Sequence, residues 1–372
     1  MENTIQLFRP KYEVEECLAA IRKVLETGWT GSGSVSKEFE KQWSLFTGAK
    51  YSHFVSSASA ALHLAVRLLD LPKGSVIATT PITFISSNAA IVYEGHIPFF
   101  CDVNEDLSLS FESVRQAIEG YNAKAVMWVH YGGNVSEDFY TLMEYAKETG
   151  IKVIEDCAHA SGAFYRDGSR VGSRQDTISC MSFHSVKNLP IMDGGMICMG
   201  DEELYNRATK LSWLGIDKNT YSRTMNDSNE VYKWSYNIPE LGWKYNGNDI
   251  AASIGLVQLK YLDRDNAYRR AIYEYYTTCL DSYVQHRLGS SHHLMVSKVE
   301  NREGVIAALK ANHFAPGVHY LPNYKFPVMS DYDHSLCVNA EELSKRIVSL
   351  PNHLLLTYND IKKISKVVRE NA

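Results

Sequence analysis

Hydrophobic and polar residues follow two different periods along the chain, which predicts helices interleaved with short strands. Residues 11–27 repeat apolar positions at three- and four-residue spacing, the pattern of a helix with one buried stripe. From residue 50 to 200 the pattern changes to β-prone runs at residues 51–55, 75–79, 97–100, 125–130, 152–155, 177–183 and 196–199. Helical patterns lie between several of them, at residues 60–69, 82–93, 111–119 and 138–149. Because strands that alternate with helices need crossover connections, we predict an α/β fold with a mostly parallel seven-stranded sheet between helices.

The alternation weakens after about residue 200. A polar, aromatic, loop-like segment at residues 215–245 precedes a long helical pattern at 250–280. The aromatic side chains of this segment, which include Tyr232 and Trp234, fit stacking on a nucleotide or packing in the core or a subunit interface. The remaining patterns are a strand at 293–296, a helix at 303–312, a short strand at 317–320 and two closing helices. We therefore predict a large domain over residues 1–248 and a smaller C-terminal α+β domain over 249–372.

Composition narrows the classes of protein that the chain could represent. A net charge of -5 without a basic cluster excludes the electrostatic signature of nucleic-acid binding. The seven cysteines are odd in number and form no C-x-x-C pair, so we expect reduced thiols and no metal site. No apolar run approaches the ~20 residues that cross a bilayer. We expect a cytoplasmic protein that binds no membrane.

Polar side chains collect where predicted strands end. Glu155 and Asp156 follow one apolar run, and His159 comes three residues later. Another strand delivers Ser182 and, shortly afterwards, Lys187. Because sheets of this kind bind ligands at the carboxyl ends of their strands, we expect these groups to meet at one edge.

A serine-rich turn supplies a third element. Ser57, Ala58 and Ser59 lie between a strand and a helix, where hydroxyls and free backbone N–H groups face an anion. A carboxylate, a lysine and an anion cradle on one sheet edge match the needs of pyridoxal 5'-phosphate (PLP). Its aldehyde reacts with an amine of lowered pKa, its ring nitrogen pairs with a carboxylate, and its phosphate needs hydrogen-bond donors.

Several motifs carry a family resemblance. They are E-D-C-A-H-A-S-G-A at residues 155–163, S-F-H-S-V-K-N-L at 182–189 and G-G at 194–195, with further segments at 28–39, 80–84, 242–246, 249–252, 317–320 and 350–351 in the same order. In these motifs the chain resembles the nucleotide-sugar aminotransferases of the DegT class. The resemblance covers nearly the whole chain and implies the aspartate-aminotransferase-like fold type I of PLP-dependent transferases.

The resemblance assigns the two catalytic residues and the partners of the cofactor ring. It implies that Lys187 holds PLP as a Schiff base and acts as general acid and base, while Asp156 pairs with the ring nitrogen. His159 would lie near the phenolic oxygen of the cofactor, and Phe84 would stack on its ring. Without the family context, Asp156 could cap a turn and Phe84 could be a core residue.

The resemblance also assigns the phosphate and substrate contacts. It implies that Ser182 and the backbone at Ala58 and Ser59, where relatives have Gly-Thr, hold the phosphate, beside Ser57. Asn246 would reach the phosphate in the neighbouring subunit, so that a homodimer shares its active sites. The expected substrate contacts are Trp29, His319 and Tyr320.

The expected reaction is an amino transfer. Glutamate would convert PLP to pyridoxamine 5'-phosphate, which then aminates a keto group of a nucleotide-linked deoxysugar for cell-surface polysaccharide or glycoconjugate biosynthesis. Two alternatives stay open: a PLP-dependent sugar dehydratase, whose relatives replace Lys187 by histidine, and a non-enzymatic PLP-binding regulator. An NAD-dependent oxidoreductase would need a G-x-G-x-x-G motif, which the sequence lacks.

Overall fold

A seven-stranded sheet is the centre of the fold. The structure is a computed structural model that describes residues 4–217 and 236–372, so Tyr232 and Trp234 lie outside the described residues. The strands are β1 (Tyr51–Val55), β2 (Val76–Thr79), β3 (Ile97–Phe100), β4 (Ala125–Val129), β5 (Lys152–Asp156), β6 (Ile178–Ser182) and β7 (Gly195–Met199). Their order is β1-β7-β6-β5-β4-β2-β3, and only β7 runs antiparallel to its neighbours. The predicted seven-stranded, mostly parallel sheet is confirmed.

Helices cover the sheet and carry the chain between its strands. In chain order they are α1 (Val14–Glu26), α2 (Ser34–Thr47), α3 (Ala58–Leu68), α4 (Ser86–Tyr93), α5 (Phe111–Tyr121), α6 (Glu137–Thr149), α7 (Glu202–Leu211), α8 (Asp249–Leu259), α9 (Leu262–Thr277), α10 (Arg302–Ala311), α11 (Val338–Arg346) and α12 (Tyr358–Asn371). Helix α2 was not predicted from the sequence, and the loop that precedes it contains Gly31 and Gly33. Within residues 4–217 and 236–372, no helix combines the length and the apolar character of a membrane span.

The C-terminal region forms a second core. Strands β8 (Met295–Lys298) and β9 (Ile347–Leu350) pair antiparallel, and α9, α10 and α12 contribute to the apolar cluster beside them. Helix α8 instead packs against α1 and α2, and its apolar residues belong to the cluster of the large sheet. The division of the chain at residue 248 stays our proposal.

Two predicted elements were wrong. The helix predicted at 250–280 is broken into α8 and α9 at Lys260 and Tyr261. Both side chains of this junction bind Glu16 on α1, a contact that residues 250–280 alone could not predict. The strand predicted at 317–320 is absent, because Gly317 exchanges one pair of backbone hydrogen bonds with Ser349 and the chain then leaves the sheet.

Candidate active site

A cavity of about 560 Å³ lies at the carboxyl ends of β5 and β6. Ten of the twelve predicted site residues line it, namely Ser57, Ala58, Ser59, Phe84, Asp156, His159, Ser182, Lys187, His319 and Tyr320. Residues from the first helices and from the C-terminal region therefore meet in one space. Their grouping agrees with the prediction, whereas their roles stay predictions.

Asp156 ends β5 and lines the cavity. Its Oδ2 accepts a hydrogen bond of 2.6 Å from the hydroxyl of Ser87, and its Oδ1 accepts one of 3.0 Å from the backbone N–H of Ala158. Burial raises the pKa of Asp156, and these two hydrogen bonds oppose the increase. The carboxylate is thus held in one orientation and would gain from a cationic or N–H partner in the cavity.

Glu155, the preceding residue, anchors the same strand from the opposite face. One carboxylate oxygen accepts hydrogen bonds from the hydroxyls of Thr177 and Ser179. The other accepts from His130 and from Tyr165, and both of these distances are 2.8 Å. Although burial raises the pKa of Glu155, the hydrogen bond from His130 and the others bring it below its usual value. His130 follows β4 and Glu155 lies on β5, so neither segment alone predicts this contact.

Lys187 lies in the loop that follows β6. Backbone hydrogen bonds between Phe183 and Gly194 and between Ile191 and Phe183 close this loop at its base. Among the residues that the structure describes, none forms a hydrogen bond or ion pair with the Lys187 amine. Burial lowers the pKa of Lys187 to about 8, against an opposing effect of Asp156. The amine is therefore available as a nucleophile near neutral pH.

The N-terminus of α3 also lines the cavity. The Ser57 hydroxyl caps this helix by accepting from Ala60 N–H at 3.1 Å, while the N–H groups of Ala58 and Ser59 have no acceptor within the described part of the chain. A Cβ at Gly195 would lie 2.6 Å from the carbonyl carbon of Ser57, so only glycine lets β7 pack this closely. An anion cradle, an unpaired amine and an oriented carboxylate in one cavity fit PLP.

Two hydrogen bonds define the tautomer of His159. Its Nδ1 accepts from the backbone N–H of Gly132 at 3.2 Å, and its Nε2 lies 3.1 Å from the hydroxyl of Tyr320. Burial, followed by the nearby Lys187, holds the pKa of His159 well below its usual value. The ring is therefore neutral, with its proton on Nε2, and donates to the Tyr320 oxygen.

Two predicted residues lie outside the cavity lining. Trp29 lies in the loop before α2, where its Nε1 donates to Ser32 O at 3.3 Å. The side-chain amide of Asn246 donates to Gly247 O at 3.0 Å. A contact between Asn246 and a second subunit stays a prediction. Phe84 does line the cavity, with 59% of its surface exposed.

Sequence analysis missed several residues of the site. Phe8 and His293, which are far apart in the sequence, both line the cavity, and their rings stack with centroids 5.5 Å apart. Ser87 holds Asp156, and Asn188 binds His293. Asn188 belongs to the motif at residues 182–189 and follows Lys187, so its position could have identified it as a site residue. Phe8 and His293 lie outside the motifs of the family resemblance, so no local signal identified them.

Comparisons with known proteins agree with this geometry. The model of the DegT/DnrJ/EryC1/StrS aminotransferase family matches residues 11–369. The spore coat polysaccharide biosynthesis protein SpsC of Bacillus subtilis is 31% identical, with 97% of this chain and 94% of SpsC covered.

Two solved structures are similar over their whole lengths. The aminotransferase TlmJ from Streptoalloteichus hindustanus has a TM-score of 0.88 at 28% identity, with 99% of both chains covered. Spr1654 from Streptococcus pneumoniae has a TM-score of 0.88 at 26% identity in its PMP form, with 98% of both chains covered. The same protein was also solved in a PLP form.

Proposed function

Because the chain belongs to the DegT/DnrJ/EryC1/StrS aminotransferase family, we propose that it transfers an amino group from glutamate to a keto group of a nucleotide-linked deoxysugar. The family match confirms the predicted resemblance, the fold class, the PLP cofactor and the aminotransferase activity. The glutamate donor, the nucleotide-linked sugar and a purpose in cell-surface polysaccharide biosynthesis are our proposals. The name of the relative SpsC supports this purpose.

One observation carries the proposal. The unpaired amine of Lys187 and the oriented carboxylate of Asp156 line the same cavity, at the ends of neighbouring strands. When bound, PLP supplies an electrophilic carbon and an electron-accepting ring. The Lys187 amine suits the aldehyde of this cofactor, and the Asp156 carboxylate suits its ring nitrogen.

The side chains of the cavity then have distinct tasks. Lys187 contributes an amine with a pKa of about 8, which can attack a carbonyl carbon and can take up and return a proton at Nζ. The Asp156 carboxylate, oriented by Ser87, would keep a proton on the ring nitrogen. The α3 N-terminus at Ala58 and Ser59 would bind the phosphate.

We further propose a homodimer in which Asn246 contributes to the site of the neighbouring subunit. Phe84 and Tyr93 support this assembly, because they leave 59% and 69% of their surfaces exposed on one chain. Phe84 lines the cavity just before α4, and Tyr93 is the last residue of α4. A partner subunit there would shield the open side of the cavity from water.

Absorbance spectroscopy and mass spectrometry test the function. We expect the protein with PLP to absorb in the visible region, to bleach with glutamate, and to lose both properties in Lys187→Ala. A panel of UDP-, GDP- and dTDP-linked keto sugars should then yield a product that has gained an amino group. A product formed by loss of water would support the dehydratase instead, and a protein that no added PLP colours would refute the proposal.

A further inference from the structure

The buried side chain of Asn188, the residue after Lys187, forms three hydrogen bonds. Its Nδ2 donates to Oδ1 of Asn266 at 2.7 Å and to the carbonyl oxygen of Ser291 at 2.9 Å. Since both of its N–H groups are then used, its Oδ1 accepts from Nδ1 of His293, 2.8 Å away. These contacts hold Asn188 to two segments that are distant in the sequence, helix α9 and the chain that precedes β8.

Two of these partners also hold the loop that follows β5. Nδ2 of Asn266 donates to the carbonyl oxygen of Ser161 at 2.9 Å, and the hydroxyl of Ser291 donates to that of His159 at 2.6 Å. Asn266 and Ser291 thus bind Asn188 through one group and the loop after β5 through another. Two bridges of buried hydrogen bonds therefore join the loops that follow β5 and β6.

The position of the Lys187 amine depends on how its loop is held. A backbone hydrogen bond of 2.8 Å from Phe183 N–H to Gly194 O closes the base of this loop. In the part of the chain that the structure describes, no group forms a hydrogen bond with the amine itself. The amine therefore follows the backbone, and the adjoining Asn188 binds elements outside the loop. A misplacement of about 1 Å of a reacting group can cost about 100-fold in rate.

We propose that Asn188 is a positioning residue, which fixes the Lys187 amine relative to Asp156. It acts through Asn266 and Ser291, which join it to the loop at the end of the strand that carries the carboxylate. The inference rests on the proposed role of Lys187 in PLP capture. It adds that residues from α9 onwards determine where the amine lies.

The pKa of Lys187 reports whether the amine stays in place. Burial lowers this pKa to about 8, and Asp156 opposes the decrease. If the loop were released, water would reach the amine and the pKa would rise toward its ordinary value. Other titratable side chains of the cavity lining, none of them changed in the variants below, are His159, His184, Asp193, His293, His319 and Tyr320.

Asn188→Ala tests the proposal through the pH dependence of PLP capture. In cofactor-free protein, stopped-flow absorbance should give a midpoint near pH 8 for the wild type and about one unit higher for the variant. Because only the free amine reacts, capture at pH 7 should slow about tenfold. Asn266→Ala leaves Asn188 two of its three hydrogen bonds and should raise the midpoint by less. A wild-type midpoint in Asn188→Ala would overturn the inference.

Gln258 supplies a matched control. Its buried amide also joins distant segments, because Nε2 donates to Lys11 O at 2.9 Å and Oε1 accepts from the N–H of Glu13 at 3.1 Å. It does not line the cavity. Gln258→Ala should lose stability to urea as Asn188→Ala does, but it should keep the wild-type midpoint. An equal shift of the midpoint in both variants would overturn the inference, since it would reflect general loosening of the fold.

Hydrogen exchange followed by mass spectrometry tests the same contacts without PLP. Peptides over residues 183–194 should exchange about tenfold faster in Asn188→Ala, the equivalent of one lost hydrogen bond, whereas peptides over β4 should keep their rates. Should Asn188→Ala fail to fold, Asn266→Ala decides by both measurements. Unchanged exchange over residues 183–194 would overturn the inference. If the wild type captures no PLP at any pH, the proposed function fails, while exchange still decides whether Asn188 holds the loop.

Discussion

The hydroxyl of Ser87 donates a hydrogen bond of 2.6 Å to Oδ2 of Asp156. This contact joins the first turn of α4 to the end of β5 and orients the buried carboxylate. The loss of a donor to a charged group costs about 1.5 to 3 kcal/mol. The orientation of Asp156 therefore depends on a residue that no motif identified.

Ser87→Ala should weaken the pairing of Asp156 with the cofactor. Without this donor the pKa of Asp156 rises further, and the carboxylate is a poorer partner for a ring nitrogen. We expect kcat to fall about tenfold while PLP still binds, as measured by steady-state kinetics and by absorbance. An unchanged kcat would show that Ser87 does not act through Asp156.

The pKa of Lys187 predicts how PLP capture depends on pH. The free amine is the reactive form, and its pKa is lowered to about 8. The capture rate of cofactor-free protein should rise about tenfold per pH unit below pH 8 and level off above it. Stopped-flow absorbance gives this profile, with Lys187→Ala as the blank. A midpoint near 10.5, the ordinary value for lysine, would contradict the lowered pKa.

Glu155→Gln should destabilise the fold, because two donor groups then face an amide N–H group instead of a carboxylate oxygen. We expect a loss of about 3 kcal/mol in the free energy of unfolding, measured with urea. The exposed Glu144, which pairs with Arg166 at 3.3 Å, is the control, and Glu144→Gln should change stability by less than about 0.5 kcal/mol. Equal effects of the two variants would mean that the buried hydrogen bonds of Glu155 contribute nothing.

The lowered pKa of Glu155 also predicts how the stability of the wild-type protein and of Glu155→Gln depends on pH. Since the folded-state pKa of Glu155 lies below its unfolded value, its contribution is complete above the unfolded pKa and is lost as pH falls through the folded one. Wild-type stability should therefore fall more steeply than that of Glu155→Gln below about pH 4.5. Parallel curves would contradict the lowered pKa.

Gly195→Ala should disturb the phosphate cradle. The new Cβ would lie 2.6 Å from the carbonyl carbon of Ser57 and 2.7 Å from the nitrogen of Ala58, so the start of α3 must move. We expect the Kd for PLP to rise at least tenfold, measured by fluorescence titration. In Gly120→Ala the Cβ meets no atom within 4 Å, and PLP affinity should stay at the wild-type value. Equal PLP affinity in both variants would refute the cradle.

Strands of the large sheet were predictable from local sequence to within about two residues. Each run is short and β-prone, and most have a polar or glycine residue at one end or both, so nearby residues set most of the bounds. Asp156 and Lys187 were predictable as well. Motifs place Asp156 at the end of β5 and Lys187 in the loop after β6, and parallel strands bring those ends together. The break between α8 and α9 was not predictable from residues 250–280, and the side chains at the break bind Glu16 in another part of the chain.

The sequence of neighbouring residues was thus sufficient to predict the large sheet, the family of the protein, and Asp156 and Lys187 as site residues. Folding in three dimensions decided the rest of the site. The N–H of Gly132 donates to Nδ1 of His159, whereas Oδ1 of Asn188, whose amide nitrogen donates elsewhere, accepts from Nδ1 of His293, so the two histidines have opposite tautomers. A tautomer depends on which atom lies within about 3 Å of each ring nitrogen, and only the packed chain brings those atoms together.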